Sequence, residues 1–331
     1  RNVVTLADKT TDVILLGTDK QFNALVRKLK NQPFGLKKLG MEIKAALAAY
    51  DNRLKDIVWD RYRLPISQRT CIMGVLNVTP DSFSDGGRFF DKKTADAHAV
   101  QMVEDGADII DIGGESTRPG AEPVFEEDEK KRVLPVIETL AGQIGVPISI
   151  DTYKTGIAQA ALDAGAAMVN DISGLSFDPE MAGLAVARNT PVVIMHMQGT
   201  PRNMQENPRY ESLIGEITGF LSGQAKVAES AGVAADRIII DPGIGFGKTV
   251  EHNLEIVKRL KEFTSLGYPV MIGVSRKSFI GKVLGTEVDE RLEGTAAAVA
   301  CSVLNGASLV RVHDVKEMFR VTRLADAVKQ I

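Results

Sequence analysis

Residues 147–170 read PISIDTYKTGIAQAALDAGAAMVN, and this stretch contains one complete unit of the pattern that decides the fold. A β-branched run, Pro147–Asp151, ends in a carboxylate, and a second apolar run, Ala167–Asn170, ends in an amide. Helical residues lie between the two runs. Strands that alternate with helices pair in parallel through crossover connections. The stretch therefore predicts a β-α-β unit with a polar group at the end of each strand.

The same unit recurs along the chain from residue 71 onward. Eight strands are predicted, at Cys71–Asn77, Asp108–Ile112, Pro147–Asp151, Ala167–Asn170, Pro191–His196, Arg237–Asp241, Pro269–Val274 and Ser308–Val312. Helical periodicity separates these strands and recurs after the last one. Eight such units over about 260 residues indicate an α/β protein with a closed (β/α)₈ TIM barrel, for which about 250 residues are typical. The alternative is a doubly wound open sheet, which fits eight units of even length less well.

The first part of the chain does not follow this pattern. Val13–Leu16 is a candidate strand, and helical spacing is found over Lys20–Lys30 and Met41–Tyr50. A segment this short has little core of its own. We therefore predict a small N-terminal α+β appendage, residues 1–68, that packs on a barrel domain, residues 69–331, away from the substrate mouth. No motif in the appendage carries chemistry.

The composition excludes several classes of protein. The 331 residues are 44% hydrophobic and 25% charged with a net charge of −3, so no strong field draws the molecule onto nucleic acid or anionic membrane. Cys71 and Cys301 lie in apolar stretches and form neither a disulfide framework nor a zinc site. No apolar run approaches the roughly 18 residues of a membrane span, and no signal-peptide core opens the chain. We expect a cytoplasmic enzyme without a nucleic-acid or membrane partner.

Polar side chains end most of the predicted strands. The active site of a TIM barrel lies at the carboxyl ends of its strands. Any one of these residues could instead cap the following helix, but capping does not require that they all face one mouth. The polar residues at or just after the strand ends are Asn77, Asp111, Asp151, Asn170, Asp171, His196, Asp241, Lys277, Arg311 and His313.

Four of these residues have complementary hydrogen-bonding groups. Asp151 and Asp241 offer carboxylate acceptors, Asn170 offers an amide that donates and accepts, and Lys277 offers an ammonium donor. An amino-pyrimidinone edge presents ring N–H and amino donors beside a carbonyl acceptor. The four side chains therefore predict a site for a flat heterocycle of this kind.

A second group of residues is suited to an anion. Arg118, Arg311 and His313 supply cationic donors for phosphate oxygens. Asn77 offers an oxygen ligand for Mg²⁺, a hard ion that accepts diphosphate partners. The residues together predict a heteroaromatic ligand that carries an anionic leaving group.

Two loops rich in turn-forming residues follow the first two strands. Residues 79–87 read TPDSFSDGG and residues 113–120 read GGESTRPG. Their Arg118 and Phe83 are not needed for a turn, so we predict mobile loops that order around the substrate; the alternative is a pair of ordinary connecting turns. A third loop, GIGFGKT at 243–249, resembles a P-loop but is one residue too short.

These motifs resemble the dihydropteroate synthase family, and they occur in the order that the family has. The resemblance covers residues 70–330 and implies a TIM-barrel enzyme of folate biosynthesis. Such an enzyme condenses 6-hydroxymethyl-7,8-dihydropterin diphosphate with p-aminobenzoate and releases pyrophosphate. Residues 1–70 depart from the family, since many members begin directly at the barrel. The matching motifs are NVTPDSFSDGG (77–87), GESTRPG (114–120), SIDT (149–152), VND (169–171), DPGIGFGK (241–248), SRKSFIG (275–281) and RVHDV (311–315).

The resemblance implies a role for each matching residue. The pterin-binding residues are Asp151, Asn170, Asp241 and Lys277. The residues for the diphosphate are Asn77, with Mg²⁺ as cofactor, Arg118, Arg311 and His313. The pocket for p-aminobenzoate, where sulfonamide drugs of the family bind, comprises Phe83, Thr117, Pro119, Phe246 and Ser278. Asp151, Lys277, Arg311 and His313 are the residues expected to act in catalysis.

The resemblance also implies an order of events and an assembly. The C–O bond is expected to break first, because an electron-rich dihydropterin stabilises positive charge on its exocyclic methylene. A homodimer through late helices such as Leu292–Leu304 is expected.

Two other functions are compatible with parts of the pattern. A corrinoid-dependent pterin methyltransferase shares the Asp/Asn/Asp pocket but lacks the SRKSF segment and the RVH ending. A catalytically silent folate-binding protein would not need Asn77, Lys277 and Arg311 together. Release of pyrophosphate from a dihydropterin diphosphate separates the synthase from both.

Overall fold

The computed structural model describes residues 14–51, 54–79, 92–116 and 120–331. The chain divides into two compact units, residues 1–52 and residues 53–331.

The smaller unit contains two helices, α1 (Asp19–Leu29) and α2 (Leu36–Asp51). Helix α1 begins at a capping box, in which Thr18 and Gln21 satisfy each other's backbone N–H groups. Both helices were predicted from their apolar spacing. The predicted strand at Val13–Leu16 is wrong for its described residues, because Ile14–Leu16 pair with no other strand and their side chains are exposed.

The larger unit contains a hairpin and then eight parallel strands. The hairpin consists of β1 (Ile57–Trp59) and β2 (Tyr62–Leu64). The parallel strands are β3 (Cys71–Asn77), β4 (Ile109–Gly113), β5 (Ile148–Asp151), β6 (Met168–Asp171), β7 (Val192–Met195), β8 (Ile238–Asp241), β9 (Met271–Ile272) and β10 (Leu309–Val312).

Helices connect these strands and cover the outside of the sheet. They are α3 (Lys92–Glu104), α4 (Glu126–Ala141), α5 (Thr155–Asp163), α6 (Met181–Arg188), α7 (Leu213–Ala231), α8 (Val250–Lys258), α9 (Ser278–Leu284), α10 (Leu292–Leu304) and α11 (Val315–Lys329). Short 3₁₀ helices lie at Ala235–Arg237, Leu260–Leu266 and Val288–Glu290. Within the ranges given above, no helix has both the length and the apolar character that crossing a membrane requires.

The eight parallel strands form a barrel in the order β8-β7-β6-β5-β4-β3-β10-β9. The ring closes between β8 and the residues just before β9, where Ile240 and Val270 form a single bridge. There the N–H of Ile240 donates to the carbonyl of Pro269 at 2.9 Å. The predicted closed barrel is thus confirmed, and every predicted strand is present with ends shifted by at most two residues.

Alternation along the strands separates an apolar outer face from a polar inner face. Successive side chains of a strand point to opposite sides of the sheet. Ile110 and Ile112 of β4 and the isoleucines of β5 belong to the apolar cluster between the sheet and the helices, while the alternate positions toward the carboxyl ends carry Asp111, Ser149 and Asp151. Asp111 and Ser149 are register partners, as are Gly113 and Asp151. The carboxyl half of the barrel interior is therefore polar.

The hairpin forms the floor of the barrel. Its outer positions are exposed, and its inner side chains, Ile57, Trp59, Tyr62 and Leu64, are buried. They belong to one apolar cluster with the interior residues at the amino ends of the barrel strands, and Trp59 Nε1 donates to the carbonyl of Ala167 at 2.9 Å. The unit boundary therefore lies at residues 52–53 and not at the predicted 68–69, because burial ties the hairpin to the barrel.

Candidate active site

A cavity opens at the carboxyl ends of the barrel strands. It contains all four residues that were predicted to bind a heterocycle, together with Arg311, His313 and Phe246. Its lining residues are Val75, Asp151, Asn170, Ile172, Met195, Asp241, Ile244, Phe246, Met271, Gly273, Ser275, Lys277, Arg311 and His313. Parallel pairing brings these residues together, because it places the carboxyl ends of all eight strands at one rim.

Strand register accounts for one side of the cavity. The register pairs Asn77 with Gly113, Gly113 with Asp151, and Asp151 with Asn170 on successive strands. A Cβ on Gly113 would lie 3.6 Å from Asp151 Oδ2 and 3.8 Å from Asn77 Oδ1. The amide oxygen of Asn77 and the carboxylate of Asp151 therefore face the same gap, which the glycine keeps open.

Arg311 joins two carboxylates inside the barrel. Its Nε donates to Asp111 Oδ2 at 2.6 Å, and its Nη2 donates to Asp151 Oδ2 at 2.7 Å. Asn170 Nδ2 donates to the same Asp111 oxygen at 3.0 Å. Asp111 was recognised as the polar end of a strand but was not assigned to the site. An aspartate between isoleucines in a buried strand was the signal for its role.

Asp241 ends β8, and Lys277 lies between β9 and α9, so the two residues come from either side of the barrel's closing bridge. Asp241 is buried, and its Oδ1 accepts from the N–H of Gly243 at 2.7 Å. The Lys277 ammonium lies 4.3 Å from the centre of the Phe246 ring, a distance at which a cation–π attraction operates. Between these residues Gly245 adopts a left-handed φ of 83°, and a Cβ there would lie 3.2 Å from Lys277 Cδ. The loop after β8 thus carries an aromatic surface into the cavity beside the lysine.

Burial shifts the acid–base behaviour of three site residues toward neutral pH. It raises the pKa of Asp241 to about 6, although the hydrogen bond from the Gly243 N–H lowers this pKa. It raises the pKa of Asp151 to about 7, although the Arg311 guanidinium opposes the rise. The pKa of Lys277 falls to about 8, because burial and the nearby Arg311 both disfavour its charged form.

His313 differs from the prediction that it supplies a cationic donor. Burial and the adjacent Arg311 lower its pKa to about 3, so the ring is neutral at neutral pH. Its Nδ1 lies 3.0 Å from the Ser275 hydroxyl, which also accepts from the His313 backbone N–H at 3.2 Å. His313 is therefore a neutral ring that Ser275 holds in position.

The lysine of the P-loop-like segment points away from the cavity. Lys248 is buried and donates to the Phe246 carbonyl at 2.9 Å, and its ammonium lies 3.0 Å from His196 Nδ1. Burial lowers the pKa of Lys248 to about 7 and, with the lysine charge, that of His196 to about 3. The neutral His196 ring therefore accepts the contact, which fastens the loop after β8 to the end of β7. The sequence prediction did not include this pair, because spacing alone does not show which way a lysine points.

The remaining predicted residues have different outcomes. Asn77 is half-buried at the end of β3. Ser278 is exposed at the start of α9 and is not among the lining residues. Four predicted residues lie outside the described ranges, namely Phe83, Thr117, Arg118 and Pro119.

The shifted pKa values predict a bell-shaped pH profile for kcat/KM. A protonated Asp241 or Asp151 carries an O–H donor and loses acceptor capacity, so activity should rise as pH increases through about 6 to 7 and both become ionised. Above about pH 8 Lys277 loses its proton, and activity should fall. Initial rates from pH 5 to 9.5 measure both limbs. Lys277→Arg should move the alkaline limb upward, and a flat wild-type profile would contradict the assignment.

Comparison with known proteins gives a consistent result. The family model described as "pterin binding enzyme" matches residues 73–313. The dihydropteroate synthase of Bacillus subtilis (strain 168) is 49% identical over 265 residues, which cover 80% of this chain and 90% of that protein. The crystal structure of Yersinia pestis dihydropteroate synthase with a sulfonamide drug superposes with a TM-score of 0.79 at 40% identity, over 83% of this chain and 100% of that one.

One relative is similar over more of the chain. It is a probable bifunctional folylpolyglutamate synthase/dihydropteroate synthase of Haloferax volcanii, 41% identical over 325 residues. The similarity covers 95% of this chain and 38% of that protein. A match of this extent must include much of residues 1–52, the unit that lies before the barrel.

Proposed function

The chain belongs to the dihydropteroate synthase family of pterin-binding enzymes, and we propose that it condenses 6-hydroxymethyl-7,8-dihydropterin diphosphate with p-aminobenzoate to give 7,8-dihydropteroate and pyrophosphate. One observation carries the proposal beyond family membership. A set of acceptors and one lysine for a pterin edge shares a single cavity with an arginine for the diphosphate.

The pterin edge would be recognised by hydrogen bonds in a buried site. Asp241, Asp151 and the amide oxygen of Asn170 accept, and Lys277 donates to the ring carbonyl. In the described part of the chain Asn170 Oδ1 is buried without a hydrogen-bond partner. A buried polar group costs free energy until it is paired, so the site favours a ligand that brings a donor to this atom.

The leaving diphosphate would be held on the other side of the cavity. Arg311 presents a planar guanidinium suited to phosphate oxygens, and His313 adds a ring N–H. Asn77 suits Mg²⁺, since this ion keeps several waters and commonly takes one protein oxygen together with substrate phosphates. Within the described ranges no group of three or more His, Cys, Asp or Glu side chains is arranged for a metal. We therefore propose that a bound Mg²⁺ would neutralise charge on the diphosphate and depend on the substrate for most of its ligands.

The proposed reaction proceeds by cleavage before attack. The C–O bond breaks with its electron pair going to the diphosphate, and positive charge develops on the exocyclic methylene of the pterin. The Asp151 carboxylate stabilises this charge, while Arg311 stabilises the departing anion. The aniline nitrogen of p-aminobenzoate then forms the C–N bond and releases a proton. No strong general base is required, because the aniline nitrogen is uncharged at neutral pH and its lone pair is already free to attack.

The p-aminobenzoate would lie against Phe246, which lines the cavity, and Ser278 is the other described residue expected for this pocket. We propose that this pocket is also the target of sulfonamides, as in the drug complex of the Yersinia pestis relative. We further propose a cytoplasmic homodimer that contacts through α10 and α11. Leu304, Leu324 and Val328 on these helices are exposed apolar side chains.

Incubation of the purified protein with dihydropterin diphosphate and p-aminobenzoate tests the function. We expect pyrophosphate and dihydropteroate in equal amounts, and no dihydropteroate when p-aminobenzoate is omitted. Methyl transfer from a methylated pterin to a corrinoid would favour the methyltransferase. Pterin binding without turnover would favour the silent folate-binding protein.

The N-terminal unit is expected to be dispensable for turnover. None of the motifs that match the family lies in residues 1–52. Deleting residues 1–52 should leave kcat and KM within a few-fold of the intact chain. Deleting residues 1–65 also removes the hairpin β1–β2 and should lower the melting temperature sharply. A folded but inactive 1–52 deletion would contradict the expectation and assign the unit to the active site.

A further inference from the structure

Asp111 occupies a position below the cavity that contact with a ligand does not explain. It is fully buried, and it is not among the residues that line the cavity. Its Oδ2 accepts from Asn170 Nδ2 at 3.0 Å and from Arg311 Nε at 2.6 Å. Among the described residues its Oδ1 has no hydrogen-bond partner. Both of its contacts are therefore to residues that face the ligand.

The contact with Asn170 fixes the orientation of that amide. A side-chain amide can rotate to exchange its oxygen and its nitrogen. In the exchanged orientation of Asn170, an amide oxygen would face Asp111 Oδ2 across about 3 Å, and two acceptors repel each other at that distance. Asn170 consequently keeps its NH₂ on Asp111, which leaves its buried, unpartnered Oδ1 as the amide atom available to a ligand.

We propose that Asp111 is a positioning residue that sets the ligand preference of the pterin pocket by allowing Asn170 to act only as an acceptor. The proposal rests on the proposed function, since it concerns how the same pocket selects its pterin. A site built to pair with a donor strongly rejects an analogue that lacks the donor, because the site's own polar group is left unpaired. Without Asp111 the Asn170 amide is free to rotate, and its NH₂ group can then donate to an acceptor on the ligand as well.

The second contact of Asp111 supports the same role. The Arg311 guanidinium is held at Nε, so it stays beside Asp151 and Asn170 and does not swing across the cavity. Because one oxygen holds both side chains, a single carboxylate determines the spacing between the pterin acceptors and the anion donor. Removing this carboxylate should therefore weaken binding of the dihydropterin diphosphate more than it weakens binding of the pterin alone or of the diphosphate alone.

Binding of three ligands tests the proposal. They are 6-hydroxymethyl-7,8-dihydropterin, its oxidised form, in which a ring N–H becomes an acceptor nitrogen, and the lumazine, in which an oxo group replaces the amino group. The wild type should prefer the dihydropterin over both. The preference is measured as the Kd of an analogue divided by the Kd of the dihydropterin. In Asp111→Ala this ratio should fall about tenfold or more for at least one analogue. Asp111→Asn, which keeps an oxygen acceptor for Asn170, should narrow it less.

Two further variants separate this role from general loosening. Asp171→Asn removes a buried carboxylate next to Asn170 at the end of β6, where it accepts from Ser173 and Leu175 and does not line the cavity. Its ligand preference should match that of the wild type. Asn170→Ala should narrow the preference, and adding Asp111→Ala should narrow it no further, because Asp111 acts through Asn170.

The outcomes are distinct. Unchanged preferences in a folded Asp111→Ala protein, or an equal narrowing in Asp171→Asn, overturn the proposal. If Asp111→Ala does not fold, the proposal is overturned by an unchanged preference in Asn170→Ala, or by a narrowing in Asp111→Asn that is undiminished when it is combined with Asn170→Ala. A wild type that binds none of the three ligands instead overturns the proposed function.

Discussion

Replacing Arg311 with methionine should lower kcat/KM by at least about a hundredfold. The change removes the predicted donor to the diphosphate. It also leaves Asp111 and Asp151 inside the barrel without their shared cation. Removing one donor that stabilises a developing anion costs about 2.7–4 kcal/mol of transition-state stabilisation, and about 1.4 kcal/mol corresponds to a factor of ten in rate.

Ligand binding separates the two parts of this effect. Calorimetry should show a larger loss for the dihydropterin diphosphate than for the bare dihydropterin, since only the former carries the anion. The bare pterin should also bind less well, because without Arg311 the pKa of Asp151 rises further and the acceptor is protonated. Arg311→Lys keeps a charge but loses the planar fork, so it should recover part of the loss.

Arg276 supplies a matched control for this variant. It forms an ion pair with Asp314 near the same rim but does not line the cavity. Arg276→Met should therefore lower kcat/KM much less than Arg311→Met. Equal losses in both variants would mean that Arg311 acts on the fold and not on the substrate.

Replacing Trp59 with alanine should lower the free energy of unfolding by about 3–5 kcal/mol. The indole is buried in the floor cluster, and its Nε1 hydrogen bond to Ala167 is lost with it. Denaturant unfolding followed by circular dichroism measures the change. Val58 is on the exposed face of the same strand, so Val58→Ala should change stability by about 0.5 kcal/mol or less. A similar cost for both substitutions would show that the hairpin is not the floor of the core.

The barrel and the location of its site were predictable from the sequence for a physical reason. Each strand is a short apolar run, and parallel pairing through helices brings every carboxyl end to one rim. A polar residue such as Asp151 or Asn170 at the end of such a run is therefore placed at that rim before any contact is known. The side of the sheet on which it lies follows from alternation along the strand.

Partners across the barrel could not be predicted in this way. Arg311 is 200 residues from Asp111 and 160 residues from Asp151, and alternation tells only that the three share the interior. The charge states of the site residues could not be predicted from the sequence either. The His313 ring, for example, is neutral because of burial and a neighbouring guanidinium.

The hairpin was missed because its strands are only three residues long and are joined by Asp60 and Arg61, which are not a typical hairpin pair. The signal was the two-residue spacing between Ile57–Trp59 and Tyr62–Leu64.

The single bridge that closes the barrel has a consequence for its dynamics. Between β8 and β9 one pairing, Ile240 with Val270, replaces the continuous ladders found elsewhere in the ring. Backbone amides at this seam are expected to exchange with solvent deuterium earlier than those of the other barrel strands. Asp241 is the last residue of β8 and Lys277 follows β9, so a ligand that bonds to both spans the seam. Pterin binding should therefore slow amide exchange at Ile240 more than at strands on the opposite side of the barrel, and the substrate itself completes the closure of the ring.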